Sequence, residues 1–263
     1  MVLTGAGMST ASGIPDYRGP DGQRRVTPMQ YSEFLADEAG RRRYWSRAYT
    51  GWTRFQQAEP NRAHYSLADI QHAGFLTSIV TQNVDGLHQR AGAQRVLELH
   101  GTLGRVTCLD CSAAFSRATV HRWLTLANPN FNVQVGEIRP DGDVVIDQKQ
   151  VDSFALAHCS RCESNKLKPD VVFFGGSVPK PRVDAAYQLL ARSQALLVVG
   201  SSLQVMSGYR FVRAATAEGK PVVILTRGQT RGDAEASVKV DALLADVLPR
   251  LTADLVAGKA PVD

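Results

Sequence analysis

The sequence predicts an α/β fold: a parallel sheet flanked by helices, with a small cysteine-bearing module inserted into it. Three observations carry this. Short apolar segments alternate with helical patterns along most of the chain, and several are apolar throughout, as strands buried on both faces are. All 4 cysteines fall within residues 102–167, where that alternation breaks down. A chain of 263 residues has room for one large domain plus a small insert.

Taken in order, Val2 and Leu3 form a short apolar strand ending in the glycine turn Gly5-Ala6-Gly7. Residues 11–28 carry Gly, Pro and Arg without periodicity and read as a long loop, which in a compact domain is usually functional. Helical patterns follow at 29–39, 41–57 and 62–73. The segment 76–81 is a strand leading into polar Gln82-Asn83-Val84-Asp85, and 96–99 is another, leading into His100-Gly101. After the cysteine-bearing module, 169–174 returns as an apolar strand ending in Gly175-Gly176. A helix near 183–193, a strand at 195–199 ending in Gly200-Ser201-Ser202, a helix at 207–218, a strand at 221–226 and a helix at 241–257 complete the chain. The expected division is a parallel-sheet domain of residues 1–101 and 168–263, with the module at 102–167. Ligands of open α/β sheets bind beyond the carboxyl ends of the strands. That rule puts Gly5, Gln82, His100 and Gly200 along one rim.

Apolar residues make up 44% and charged residues 21%, ordinary values for a globular protein, and no apolar run approaches the length that crosses a bilayer. The first residues lack the pattern of a targeting segment, so a cytoplasmic protein without a membrane partner is expected. The net charge of +5 comes from scattered residues, apart from Arg41-Arg42-Arg43, with no interleaved aromatics. That run reads as a solvated helix face, so nucleic acid is not an expected partner. A monomer is expected.

The cysteines are Cys108, Cys111, Cys159 and Cys162, two C-x-x-C pairs separated by 47 residues. Two disulfides are the alternative in an oxidising compartment. Paired knuckles of this spacing aim four thiolates at one tetrahedral zinc, which leaves no open position for catalysis. One structural zinc per chain is therefore expected.

The strings GAGMSTASGIPDYRG (5–19), TQNVDGLH (81–88), LELHG (97–101), the two C-x-x-C pairs, LKPDVVFFGG (167–176) and VVGSSLQV (198–205) resemble the motifs of the sirtuin family, in that family's order. ASGIPDYR, RVTCLDC, SLQVMSGYRF and TRGD make the likeness closest to its class II branch. The resemblance implies a Rossmann-like NAD-binding domain and NAD-dependent removal of acyl groups from protein lysine. In that reaction the acyl oxygen attacks ribose C1′ as nicotinamide leaves, and the products are free lysine and O-acyl-ADP-ribose. Protein mono-ADP-ribosyl transfer is the alternative, since it begins by breaking the same bond. A non-catalytic NAD-sensing module is a third reading.

Residue by residue, the resemblance gives Gly5, Ala6, Gly7 and Ser9 to the pyrophosphate, and Pro15, Asp16, Tyr17 and Arg18 to a loop over the phosphates and nicotinamide. Gln82, Asn83 and Asp85 would line the nicotinamide pocket and grip the ribose; Asp85 is also a plausible cap for a helix at 86–91. Gly200, Ser201, Ser202, Thr226, Gly228 and Leu244 would meet the adenosine half, with Thr226 standing where the family usually has Asn. His100 would be the catalytic base, an imidazole suited to accept a proton near neutrality. Val172, Phe173, Phe174 and Gly175 resemble the strand that pairs with a substrate peptide, and Gly176 replaces the family's usual acidic residue. Tyr44 and Arg47, three apart on one helix face, resemble the pair that reads acidic acyl groups; a packed Tyr beside a solvated Arg is the alternative. His64, His72 and His121 read as surface or packing residues.

Overall fold

The computed structural model describes residues 1–19, 23–24, 27–133 and 139–258. In chain order the strands are β1 (Val2–Thr4), β2 (Ile79–Thr81), β3 (Val96–Glu98), β4 (Gly101–Cys108), β5 (Ala114–Ser116), β6 (Leu167–Val171), β7 (Leu196–Val199), β8 (Val222–Leu225) and β9 (Val238–Val240). The helices are α1 (Tyr31–Ala36), α2 (Glu38–Gln56), α3 (Arg62–His72), α4 (Leu87–Arg90), α5 (Arg117–Ala127), α6 (Gln148–Ser153), α7 (Lys180–Ala191), α8 (Met206–Ala217) and α9 (Leu244–Ala257). The chain forms two compact units. The first comprises Met1–Arg25, Glu59–Leu99 and Val178–Asp263, and the second Val26–Ala58 and His100–Ser177.

The first unit is built on a parallel six-stranded sheet, β3-β2-β1-β7-β8-β9. Successive side chains of a strand face opposite ways, and both faces here are apolar. Leu3, Val80, Val198 and Ile224 pack with Ala186 and Leu190 of α7 and Phe211, Val212 and Ala215 of α8. Val2, Ile79, Val199 and Leu225 pack with Ala63, Leu67, Ala68 and Ile70 of α3 and Leu248 of α9. Each such side chain contributes about 1.5–3 kcal/mol on full burial, so this unit carries its own core. Thr4 is level with Thr81 and Val199, and Val199 with Leu225. The residues that follow these strands, Gly5, Gln82, Gly200 and Thr226, therefore emerge at one rim.

The second unit holds an antiparallel sheet, β5-β4-β6. Here the structure corrects the expected division: residues 26–58 belong with the cysteine-bearing module, and so does the segment 168–177. The apolar stretch expected as a returning parallel strand at 169–174 is instead β6, Leu167–Val171, paired antiparallel with β4. The alternation of buried and half-buried positions in Leu-Lys-Pro-Asp-Val suits a strand covered on one face. The long helix α2 is tied in by Trp45, whose indole Nε1 donates to the Leu167 carbonyl at 2.8 Å. α6 lies along α2, and Val144, Ile146 and Val151 form a small apolar cluster. Of the Gly/Asp/Pro-rich stretch at 136–143, residues 136–138 lie outside the described residues. Among the described residues, no helix is long and apolar enough to cross a membrane.

Candidate functional site

In the first unit the two glycine turns of the rim interlock. The Gly5 amide donates to the Val199 carbonyl at 3.1 Å and the Gly7 amide to the Gly200 carbonyl at 2.9 Å. A Cβ on Gly5 would lie 2.7 Å from Cβ of Ser201, and one on Gly200 would lie 2.6 Å from the Met8 amide nitrogen and 3.0 Å from Leu244 Cδ1. Gly200 also has φ +61°, so two independent constraints exclude a side chain there. Both amides are thus engaged by the close approach of the two turns.

The polar trio after β2 faces this turn. The Ser9 hydroxyl donates to Asp85 Oδ2 at 2.7 Å, while Asn83 Nδ2 donates to Ser9 Oγ and to the Gly5 carbonyl, each at 3.0 Å. Gln82 Nε2 donates to Ser201 Oγ at 2.8 Å and to the Thr4 carbonyl at 3.2 Å. Asp85 Oδ1 accepts the Leu87 amide at 2.9 Å in a turn that leads into α4, whose N-cap is Gly86 rather than Asp85, and its other oxygen orders the Ser9 turn. Burial raises the Asp85 carboxyl above its usual range, and the bonds from Leu87 and Ser9 pull the other way. Pro15, Asp16, Tyr17 and Arg18 are half-buried in the loop beyond, where Arg18 bridges to Arg24. Past Gly200, Leu203 adopts φ +57°, its amide donating to Ser201 Oγ at 3.3 Å, and the Ser202 carbonyl accepts from the Arg231 amide at 3.0 Å. The Thr226 amide donates to the Val240 carbonyl at 3.2 Å, and the Gly228 amide to Asp241 Oδ1 at 3.1 Å.

Sequence reasoning missed what lies beneath the rim. His88, the last residue of TQNVDGLH, is buried with Nε2 2.9 Å from Thr4 Oγ1, and its ring lies 4.9 Å from that of buried His64. Burial holds both imidazoles down, at about 3 for His88 and about 4 for His64, so both are neutral at pH 7. Asn61, at the start of α3, donates from Nδ2 to the Met8 carbonyl and to Ser12 Oγ, each at 2.9 Å, which pins the turn from the other side.

In the second unit, half-buried His100 immediately precedes β4, and its carbonyl accepts the Val172 amide at 2.8 Å. Phe173 is buried, with its ring 5.1 Å from those of Phe34 and Tyr44. The Phe174 carbonyl accepts the Tyr31 amide at 2.8 Å. Gly175 has φ +76°, and the Gly176 amide donates to the Phe173 carbonyl at 2.9 Å. Val172 and Phe174 therefore each commit a main-chain group inside the unit.

The four cysteine sulfurs lie within 4.8 Å of one another, with Cys108–Cys162 at 3.5 Å and Cys111–Cys159 at 3.6 Å. Four sulfurs around one zinc at about 2.3 Å would be ~3.8 Å apart, so the cluster fits one ion. The two knuckles share one backbone pattern. Cys108 and Cys159 each accept, through their carbonyls, an amide four residues on, at 3.0 Å from Ser112 and 2.8 Å from Glu163. Both donors have φ +59°.

The sequence model of the Sir2 family matches residues 5–207. The chain belongs to the Sir2 family. It is 50% identical over 241 residues to NAD-dependent protein deacetylase 1 of Streptomyces coelicolor, across 91% of this chain and 80% of that one. It is 42% identical over 253 residues to the human mitochondrial NAD-dependent protein lipoamidase sirtuin-4, across 95% of this chain and 80% of that one. A solved Sir2 structure with a p53 peptide and NAD+ is similar at a TM-score of 0.75 and 30% identity, across 98% and 93% of the two chains.

In this Sir2 chain Tyr44 and Arg47 share a face of α2, with Tyr44 packed and Arg47 half-buried. Tyr44 is buried against Phe34, Trp45 and Phe173, with ring centroids 5.6, 5.3 and 5.1 Å away. Its hydroxyl lies beside the Arg117 guanidinium without a hydrogen-bond partner among the described residues, and burial raises its pKa far above the usual value. Arg117 is itself fully buried between the rings of Trp45 and Trp52, at 4.9 and 4.5 Å, and donates to the Ala48 carbonyl at 2.7 Å. Arg47 is half-buried rather than solvated, and Asp141 and Asp143 lie within its electrostatic reach. Neither carboxylate stood out in the sequence, where an Asp in a Gly/Asp/Pro-rich stretch reads as exposed.

Proposed function

We propose that this chain is an NAD-dependent protein-lysine deacylase whose products are nicotinamide, free lysine and O-acyl-ADP-ribose. The observation that carries it is the match to the Sir2 family across residues 5–207, which contain the six motifs that follow one another in the family's order. Similarity to a Sir2 structure holding both a peptide and NAD+ supports the same pair of substrates. NAD supplies an electrophilic ribose carbon with nicotinamide as its leaving group. In this reading the Ser9–Asn83–Asp85 network fixes the polar groups that orient the ribose. The interlocked turns at Gly5–Gly7 and Gly200–Ser202 shape the floor beneath the phosphates. Thr226, Gly228 and Leu244 flank the adenosine end, and Pro15–Arg18 closes over the nicotinamide end. His100 takes the proton from the ribose hydroxyl, and the segment from Val172 to Gly175 aligns the peptide. Tyr44 lines the acyl end, supported by its contact with Phe173, and Arg47 faces the far end of the acyl chain. The zinc site is structural.

Mass spectrometry of products from a panel of acyl-lysine peptides with NAD tests the reaction. Deacylated peptide and O-acyl-ADP-ribose in equal amounts are expected. ADP-ribosylated protein in place of deacylated peptide would move the reading to ADP-ribosyl transfer. His100→Ala should retain NAD affinity within a few-fold while deacylation falls by at least about 100-fold, the scale of losing a general base. Near-normal turnover in that variant would make His100 structural.

A further inference from the structure

The face of α2 that carries Tyr44 and Arg47 continues through Gly51 and Phe55, and the loop of residues 139–143 sits on it. A Cβ on Gly51 would lie 2.2 Å from the Gly142 carbonyl oxygen, and one on Gly142, where φ is +74°, would lie 3.0 Å from the Phe55 ring. Two glycines, one on each side, thus let the loop main chain rest directly on the helix. The loop holds its own shape: the Arg139 amide donates to the Asp143 carbonyl at 2.8 Å, and the Gly142 amide to the Arg139 carbonyl at 2.9 Å. Val144, the next residue, is fully buried in the apolar cluster with Val151.

This seat brings a buried carboxylate toward Arg47. Asp143 is 5% exposed, and its Oδ1 lies 3.6 Å from Arg139 Nε, with no hydrogen bond to that oxygen among the described residues. Arg47 Nε is likewise buried without a hydrogen-bond partner among the described residues. The charged groups around Asp143 are Asp141 and Arg139 from its own loop, and Arg47 and Arg43 from α2. Arg43 is already engaged by Glu33 at 2.8 Å. Tyr44 lies within the field of both aspartates, with Arg117 of α5 behind it. Lys149 and Asp152 of α6 are exposed to solvent.

We infer that Asp143 sets acyl selectivity by competing with a substrate carboxylate for the Arg47 guanidinium. This rests on the reading that Arg47 faces the acyl chain. An ionised Asp143 neutralises Arg47 and leaves the acyl end suited to an uncharged chain. A protonated Asp143 releases Arg47 to a carboxylated one. Burial and the neighbouring Asp141 push the Asp143 carboxyl up to about 7, while Arg139, Arg47 and Arg43 pull it down, so both states are populated near neutrality. Selectivity for acidic chains should therefore decrease as pH rises through about 7.

The test uses two peptides that differ only in the acyl group, glutaryl-lysine and pentanoyl-lysine, of equal carbon count. The zinc-loaded full chain is assayed with NAD between pH 6 and 8.5, and the glutaryl:pentanoyl ratio of kcat/KM is read, so that effects common to both reactions cancel. The wild-type ratio should fall as pH rises. Asp143→Asn should raise the ratio by about tenfold at pH 8, the scale of one charge-assisted hydrogen bond, and flatten its pH dependence. Arg47→Met should lower the ratio at every pH. If Arg47→Met lowers the ratio while Asp143→Asn leaves it within twofold, the competition is overturned and the Arg47 reading stands. If neither variant moves it, the Arg47 reading itself fails. Melting temperature checks that each variant folds, and a wild-type ratio that is flat with pH overturns the competition without any variant.

Discussion

The two units bury ionisable groups in opposite ways. In the first, His64 and His88 lie beneath a sheet with an apolar cluster on each face, and burial leaves them neutral. In the second, Arg47, Arg117, Asp141 and Asp143 keep company around a three-stranded sheet with a small apolar cluster beside it. A unit with a large core tolerates polar side chains by discharging them, which fixes their role. A unit with a small core leans on a metal and on balanced charges, and balanced charges respond to what binds. Under the proposed assignments of cofactor and substrate residues, the first unit presents a constant surface and the second an adjustable one.

The largest expected effect comes from removing the metal. Cys111→Ser should release zinc and destabilise the second unit by several kcal/mol, because binding energy at a structural site is folding energy. Hydrogen exchange should show protection lost in β4, β5 and β6 but kept in β1, β7 and β8. Equal loss in both sheets would mean that the first unit does not stand on its own core.

A smaller effect, of opposite sign in the two units, is expected with pH. His64 and His88 bind protons at about 4 and about 3 when folded, against about 6.5 when unfolded. The unfolded chain therefore holds more protons across that window, and the first unit should gain stability as pH rises from about 3 to about 6.5. Asp143 is raised, to about 7, so its contribution is full below about 4 and is lost as pH rises through about 7. Exchange corrected for intrinsic rates should slow in α3 between pH 4.5 and 6.5, and quicken in the 139–147 loop between pH 6 and 8. The limit is about tenfold per pH unit for each proton. A common direction in both places would erase the distinction.

The smallest effect concerns the substrate edge. Gly176→Glu restores the family's acidic residue at a position where a Cβ would lie 3.0 Å from the Phe173 carbonyl oxygen. We expect less than about 1 kcal/mol of destabilisation and a preference of a few-fold for peptides with basic flanking residues, the range of an exposed ion pair. Competition between peptides with Lys or Glu beside the acyl-lysine measures it.

Most of the first unit was legible because its strands are apolar on both faces and end in turn residues. β9 was missed: Val238-Lys239-Val240 is short, and its first residue is exposed. The allegiance of α2 was not legible, since periodicity marks a helix without saying which sheet it joins; the bond from Trp45 to the Leu167 carbonyl spans 122 residues. The site motifs were visible as strings, but the engagement of the Gly5 and Gly7 amides was not, because it depends on the approach of Gly200. The Asp141–Asp143 pair escaped for a related reason: its burial arises from Gly51, ninety residues earlier in the chain.

The pairing of β4 with β6 has a mechanical consequence. Gly101 is level with Val171 and Val106 with Pro169, so β4 takes five steps where β6 takes two, and the extra length bows out at Thr102–Arg105. The cysteine knuckles stand at one end of this ribbon and His100 at the other. A bowed strand behaves as a slack tether and a straight one as a taut rod. Displacement at the knuckles would thus travel along Leu167–Val171 and arrive first at the Val172 amide, which holds the His100 carbonyl.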